Sequence, residues 1–351
     1  MERRYPGLGA DPPEVQSSTF STQHTALSTI EISVVVPTFK RPALLYRCLS
    51  ALTAQTLDPA LYEIIVVDDG PSEETRRVVE SWIERVARRQ LQYVPVYHAH
   101  GPAAARNTGW RAARGRLIAF TDDDCIPAPD WLAAGCALLN DETVSAACGR
   151  IIIPVSHHPT DHERTTSGLE KVEFATANAF CTREALLEVG GFDERFTQAW
   201  REDSDLQFSL VEHGRRCIHL PEAVVVHPVR PARWGISLSQ QRNNLFNALL
   251  YKKHRALYRS RVQPDPPWRY YVMTGALALA AIGTVIGSTW LVIGPLALWI
   301  GLTAQFSMER LRHTSRTIGH VAEMALTSAL IPPLAVFWRI RGAVKYRVLF
   351  L

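Results

Sequence analysis

From Ile30 to Asp124 the chain alternates short β-branched runs with segments of helical period, and this alternation limits the possible folds more than any other feature. "EISVVVPTF" ends at a proline–threonine corner, "YEIIVVDDG" on two acids and a glycine, and "RLIAFTDDD" on three aspartates. Between them, "RPALLYRCLSALTAQ" spaces its apolar residues as a helix does. "PSEETRRVVESWIERVARR" has acids in its first turn and arginines in its last, as the helix dipole favours. A further run, "LQYVPVYHA", and a further helix, "PAAARNTGWRAAR", complete the pattern. Repeated βαβ units predict an α/β fold, a parallel sheet with helices on its faces. In such sheets ligands bind outside the carboxyl ends of the strands. Pro37 and Thr38, Asp68 and Asp69, and Asp122, Asp123 and Asp124 are therefore expected along one rim.

Three adjacent carboxylates repel one another unless water screens them or a positive group neutralises them. One reading is a solvated loop that caps the next helix. The other is a divalent cation, since Mg²⁺ or Mn²⁺ shares one or two carboxylates with substrate phosphates. Arg106 in "GPAAARNTG" would add positive charge at a helix start suited to anions. Beyond Trp131 the order loosens. "TVSAACGRIIIPV" reads as a strand and "REDSDLQFSLVEHG" as a helix that opens on acids. "RRCIHLPEAVVVHPV" reads as a strand pair broken at Pro221.

The net charge of +4 gives no argument for nucleic acid, but basic residues gather beside apolar stretches. Lys252, Lys253, Arg255, Arg259, Arg261 and Arg269 make residues 233–269 a basic, amphipathic juxtamembrane segment suited to anionic lipid. Residues 270–308 hold no charged side chain or histidine. A span needs roughly 20 residues, so two short transmembrane helices turning at Gly287–Thr289 are expected. Residues 318–338, broken by Pro332 and Pro333 and flanked by arginines, read as a re-entrant or interfacial helix pair. A basic tail, 339–351, follows. Residues 1–29 are polar, lack the apolar core of a signal peptide and read as a flexible tail. These features predict a multi-pass cell-membrane protein with its soluble domain, 30–232, in the cytoplasm. The six cysteines show no ligand spacing and read as packing residues in a reducing compartment.

"SVVVPTFKRPALLYRCLSAL", "YEIIVVDDGPSEET", "GPAAARNTGWRAARGRLIAFTDDDCIPAPDWL", "ANAFCTREALLEVGGFDERF" and "REDSDLQFSL" follow in order, and together they resemble the successive motifs of family-2 glycosyltransferases. The resemblance implies a GT-A (Rossmann-like) nucleotide-sugar-binding domain and transfer of a sugar from a nucleoside diphosphate with inversion. It implies that Pro37, Thr38 and Asp69 hold the base and ribose, with Asp68 beside them and Arg106 facing the nucleotide. Asp122 and Asp124 match the DxD acids, with Asp124 the direct metal ligand and Asp123 among the donor-binding acids. Asp203 matches the general base, Glu202 its neighbour, and His227 a histidine that faces the diphosphate or the metal.

An inverting displacement needs such a base, and a cation on the leaving diphosphate. The chain departs from the family pattern in having Asp123 inside the DxD and Pro71 where serine is common. "QQRNNLFNALLYKKH" lacks the tryptophan of the processive Q-x-x-R-W motif, which predicts single-sugar addition, with Arg242 a candidate phosphate contact. The acceptor is a hydroxyl, and the apolar tail makes a lipid or lipid-linked molecule one candidate. Two alternatives stand beside this reading. One is a nucleotidyltransferase of related fold, although "PTFKRP" lacks the glycines such an enzyme uses. The other is a non-catalytic, membrane-anchored module that binds a nucleotide sugar.

Overall fold

The computed structural model describes residues 30–86, 90–98 and 101–350. The expected tail, 1–29, lies outside the described residues. The first half is β1 (Ile32–Thr38), α1 (Pro42–Leu52), β2 (Tyr62–Asp68), α2 (Glu73–Ile83), β3 (Leu91–Pro95), α3 (Pro102–Ala112) and β4 (Leu117–Phe120). There follow β5 (Ile126–Pro127), α4 (Trp131–Cys136), β6 (Val144–Ile152), α5 (Asp161–Ser167), β7 (Ala179–Thr182), α6 (Arg183–Val189), α7 (Glu202–Glu212) and β8 (Arg216–Val226).

All eight strands join one sheet in the order β3-β2-β1-β4-β7-β6-β8-β5. β3, β2, β1 and β4 are mutually parallel, as βαβ connections require. The other half breaks the expected parallel pattern, because it is not built from βαβ units. β7 runs antiparallel to both β4 and β6, and β5 antiparallel to β8. The sequence around Pro221 forms one strand, not two. β8 absorbs the proline in a register shift, where Gly149 pairs with Leu220 and Arg150 with Val224.

The alternating side chains of the central strands fill two cores. Val34, Val36, Ile64 and Val66 pack with Leu45 and Leu49 of α1 and Val79 of α2. On the other face Val35, Ile65 and Val67 pack with Ala103, Ala105 and Trp110 of α3. Each such burial is worth roughly 1.5–3 kcal/mol before chain entropy is subtracted. The central strands are thereby fixed, and with them the rim formed by the ends of β2, β1 and β4.

After β8 come α8 (Ile236–Gln240), α9 (Asn244–Lys253), α10 (Arg255–Leu257), α11 (Trp268–Val285), α12 (Thr289–Leu311) and α13 (Ile318–Tyr346). α9 is not a surface amphipath. Leu245 through Tyr251 are all buried, and most of them join a third core with Phe196, Phe208 and Tyr346. Residues 270–308 do form two helices with a turn at 286–288. Among the described residues, however, the two helices long and apolar enough to cross a membrane are α12 and α13. At about 1.5 Å per residue α11 falls just short of a hydrocarbon core of about 30 Å. The expected break at Pro332–Pro333 is absent, and α13 runs on through both prolines. Ile331 and Pro332 are buried against neighbouring elements, the setting in which helices tolerate proline. Much of the supposed basic tail is therefore packed helix. At Gly342 a Cβ would lie 2.6 Å from the Leu245 carbonyl oxygen, so glycine is what lets α13 approach α9.

Candidate active site

The three central strand ends stand side by side. Thr38 pairs with Asp68 in the sheet, and the Asp69 N–H donates to the Thr38 carbonyl at 2.9 Å. Asp68 is fully buried and organises the turn after β2. It accepts from the Gly70 N–H at 3.2 Å, the Ser72 N–H at 3.3 Å and the Tyr93 hydroxyl at 2.9 Å. It thereby holds the turn that carries Asp69. Asp69 itself is partly exposed and accepts from the Gly101 N–H at 2.8 Å. Gly101 has φ of 111° and sits against the Thr197 backbone, so no larger residue fits that corner. Pro37 is partly exposed at the same rim, next to the exposed ring of Phe39.

The three adjacent aspartates have three different partners. Asp122 accepts from Arg106 at 2.7 Å. Asp123 is buried, accepting from the Thr38 hydroxyl at 2.7 Å and from Arg41 at 3.0 Å. Asp124 lies 2.9 Å from Arg230 Nε and 3.7 Å from His227 Nε2. The repulsion posed by the sequence is thus relieved by three arginines from three separate segments. Burial still pushes the Asp123 carboxyl up to about 6, against Arg41 and Thr38. Burial also works against the Asp122 carboxylate, but Arg106 and then His227 outweigh it and hold it below the usual range.

Two expectations change here. Thr38 and Asp123 bond to each other, which locks the ends of β1 and β4 together and leaves neither side chain presented to a nucleotide. Arg106 is only 3% exposed and also donates to Glu202 at 3.0 Å. It bridges the aspartate cluster and α7, and both ends of its guanidinium are taken up there instead of facing a nucleotide freely.

α7 carries the remaining acids. Arg201, just before it, has φ of 78°, a strained backbone for a side-chain-bearing residue. Glu202 is buried against Arg106, and its other oxygen has no hydrogen-bond partner among the described residues. Burial pushes its carboxyl up to about 7. Asp203 is partly exposed and accepts from the Ser204 N–H at 2.6 Å. Enclosure raises its pKa too. Asp205 points the other way and is buried against Lys253 at 2.7 Å and His254 at 3.1 Å.

Asp124, Cys125 and His227 place a carboxylate oxygen, a thiol and an imidazole nitrogen within 4.8 Å of one another. Burial pushes the Cys125 thiol well above its ordinary range, and a soft sulfur suits Mg²⁺ or Mn²⁺ less well than oxygen or nitrogen. Asp124 and His227 remain as an oxygen and a nitrogen donor. The other ring nitrogen of His227 is buried without a hydrogen-bond partner among the described residues. This donor set fits a divalent cation.

Comparison with known families agrees with the site. The family described as "Glycosyl transferase family 2" matches residues 33–193, and "Glycosyl transferase family group 2" matches residues 117–338. The chain belongs to the family-2 glycosyltransferases. As a glycosyltransferase it is an enzyme that moves sugars, which removes the nucleotidyltransferase and the non-catalytic module.

This glycosyltransferase is 27% identical over 211 residues to the glycosyltransferase AglE of Haloferax volcanii, covering 57% of this chain and 67% of AglE. It is 30% identical over 275 residues to the pre-mycofactocin glycosyltransferase of Mycobacterium tuberculosis, covering 73% of this chain and 54% of that protein. A validoxylamine A glucosyltransferase of Streptomyces hygroscopicus subsp. limoneus is 28% identical over 266 residues, 65% of this chain and 55% of the relative. The chain thus spans about half the length of the latter two. Its fold resembles that of the mannosyltransferase PcManGT of Pyrobaculum calidifontis, solved in complex with GDP-Man and Mn²⁺. The TM-score is 0.53 and the identity 21%, over 91% of this chain and 88% of that one. The likeness supports a GT-A fold.

Sequence reasoning missed several residues that this glycosyltransferase uses to build its site. Arg41 and Arg230 pair with the aspartates from 82 positions before Asp123 and from beyond β8 respectively. Asn107 bolts α3, and so Arg106, to the turn before α7. It donates to the Phe192 carbonyl and the Glu194 carboxylate, both at 2.8 Å, and accepts from the Phe192 N–H at 2.9 Å. Only the runs "KRP", "ARN" and "HPVRP" marked these positions, and nothing local says what they touch.

Proposed function

We propose that this glycosyltransferase moves a single sugar from a nucleoside diphosphate to a hydroxyl acceptor at the membrane, with inversion at the anomeric carbon. One observation carries the reading: Arg106 ties an acidic cluster with cation-fitting donors to the helix that presents Asp203. Asp203 takes the proton of the acceptor hydroxyl as its oxygen bonds to the anomeric carbon. The bond from that carbon to the diphosphate breaks, and the nucleoside diphosphate leaves with the electron pair. The raised pKa of Asp203 brings its basicity nearer to what a general base needs at neutral pH.

Asp124 and His227, with Asp122 beside them, would hold Mg²⁺ or Mn²⁺, and the GDP-Man and Mn²⁺ of the Pyrobaculum enzyme support both donor and cation. A bound cation supplies positive charge to the departing diphosphate. Asp69, Pro37 and the ring of Phe39 line the nucleoside end of the rim. The missing tryptophan after Arg242 favours single additions over processive synthesis. The outward apolar faces of α12 and α13 support membrane association, which would bring a lipid or lipid-linked acceptor within reach.

The test is a panel of nucleotide sugars offered to membranes holding the full chain, with Mn²⁺, with Mg²⁺ and with EDTA. At least one donor is expected to be turned over only with a cation. Asp124→Asn is expected to lose about tenfold or more of the cation-dependent affinity for the nucleoside diphosphate, as removing a charged contact does. Turnover in EDTA equal to that in Mn²⁺ would refute the metal-dependent reading.

A further inference from the structure

Between the catalytic domain and the C-terminal helices lies a cavity of about 760 Å³. Its walls come from the turn that starts α5, from the 229–241 segment, and from α11, α12 and α13. Phe306, Met324 and Ile331 make one side apolar, while Arg230, Arg233 and Arg310 bring positive charge to it.

The acids on its lining already have partners. Asp161 accepts from Arg310 at 2.7 Å, Glu163 closes a capping box on Thr160, and Glu323 accepts from the Gly235 N–H at 2.7 Å. Arg310 is also occupied by the hydroxyls of Thr327 and Ser328. Several donors remain, the His162 ring among them, whose Nδ1 lacks a hydrogen-bond partner among the described residues; three others bear on an anion. Arg233 is exposed and has no side-chain partner among the described residues. Arg230 is paired with Asp124 alone, a partner that a cation at Asp124 would take over. His320 is only 7% exposed, lines the cavity, and its Nε2 has no hydrogen-bond partner among the described residues. A buried polar atom left in this state destabilises the fold unless something in the cavity completes it.

We propose that this cavity binds the phosphate headgroup of a membrane-borne, lipid-linked acceptor. The proposal rests on the membrane transferase reading above and names the acceptor's chemistry. Two guanidinium groups and an imidazole suit phosphate oxygens. The adjoining apolar wall belongs to helices whose outer faces suit lipid, so the ligand that matches both is an amphiphile with its anion at the junction. Arg230 spans the two sites, lining the cavity while lying 2.9 Å from Asp124. A headgroup held there adjoins the donor's diphosphate.

The experiment measures equilibrium binding of farnesyl monophosphate, farnesol and inorganic phosphate to the full-length protein in detergent. Donor hydrolysis by the same samples is followed in parallel. Farnesyl monophosphate is expected to bind about tenfold or more tighter than either of the others, in keeping with charge-assisted bonds. The double variant Arg233→Ala/His320→Ala should lose most of that preference while still hydrolysing donor. Arg233→Ala alone, an exposed change that leaves packing intact, should lose a measurable part of it. Farnesol binding as tightly as the monophosphate, inorganic phosphate matching it, or unchanged binding by the variants would each overturn the proposal. Absent donor hydrolysis alongside a retained monophosphate preference would instead overturn the transferase reading and uphold the cavity assignment.

Discussion

Burial sets the protonation of the acids at the site: it pushes Glu202 up against the pull of Arg106. Arg106 holds Asp122 ionised, whereas burial keeps the proton on Glu202 up to about pH 7 despite its bond to the same guanidinium. The sign of the resulting pH effect follows from linkage. Between its ordinary value of 4.5 and about 7, Glu202 binds more proton in the folded than in the unfolded chain. Stability from this group is therefore full below about pH 4.5 and is lost as pH rises towards 7. Glu202→Gln mimics the protonated form, so its thermal midpoint should fall less over this range than that of wild type. Parallel melting curves of the two proteins from pH 5 to pH 8 check this; equal slopes would mean that Glu202 is ionised throughout.

Among the elements, α7 has two faces with separate tasks. Glu202 and Asp203 face the site, while Asp205 binds Lys253 at the end of α9 and His254 just after it. Removing one partner of a buried pair typically costs about 3–5 kcal/mol. Asp205→Ala should accordingly lower the unfolding midpoint strongly, yet bind donor normally below it. Denaturant titration beside nucleotide binding would separate the two, and an unshifted midpoint would contradict the anchoring role.

The strand ends were legible because β-branched runs and acids are local signals, and so was the α7 acid pair. The roles of Asp68, Thr38 and Arg106 were not, since each depends on contacts with distant segments. A buried Asp68 and a partly exposed Asp69 look alike in "VVDDG". The course of α13 through Pro332 and Pro333 was hidden for a related reason. Local propensity opposes it, and the neighbouring elements that allow it come from elsewhere in the chain.

On the scale of the whole molecule, one packed path joins chemistry to the apolar helices. α7 carries Asp203, Asp205 ties α7 to α9, and α9 receives α13 at Gly342. A second link, from Arg310 on α12 to Asp161 on α5 at 2.7 Å, fixes the other side of the cavity. The catalytic rim is thereby held in a set position relative to the apolar helices α12 and α13. The central claim is that Asp203 removes the acceptor's proton while the rest of the site holds the donor. The measurement that tests it most directly compares wild type with Asp203→Asn in proteoliposomes, following sugar transfer and nucleoside diphosphate affinity together. The amide keeps the shape and loses the basicity, so transfer should fall by about 10²–10⁴-fold, with affinity changed less than about twofold. Transfer by Asp203→Asn within a few-fold of wild type would contradict the account.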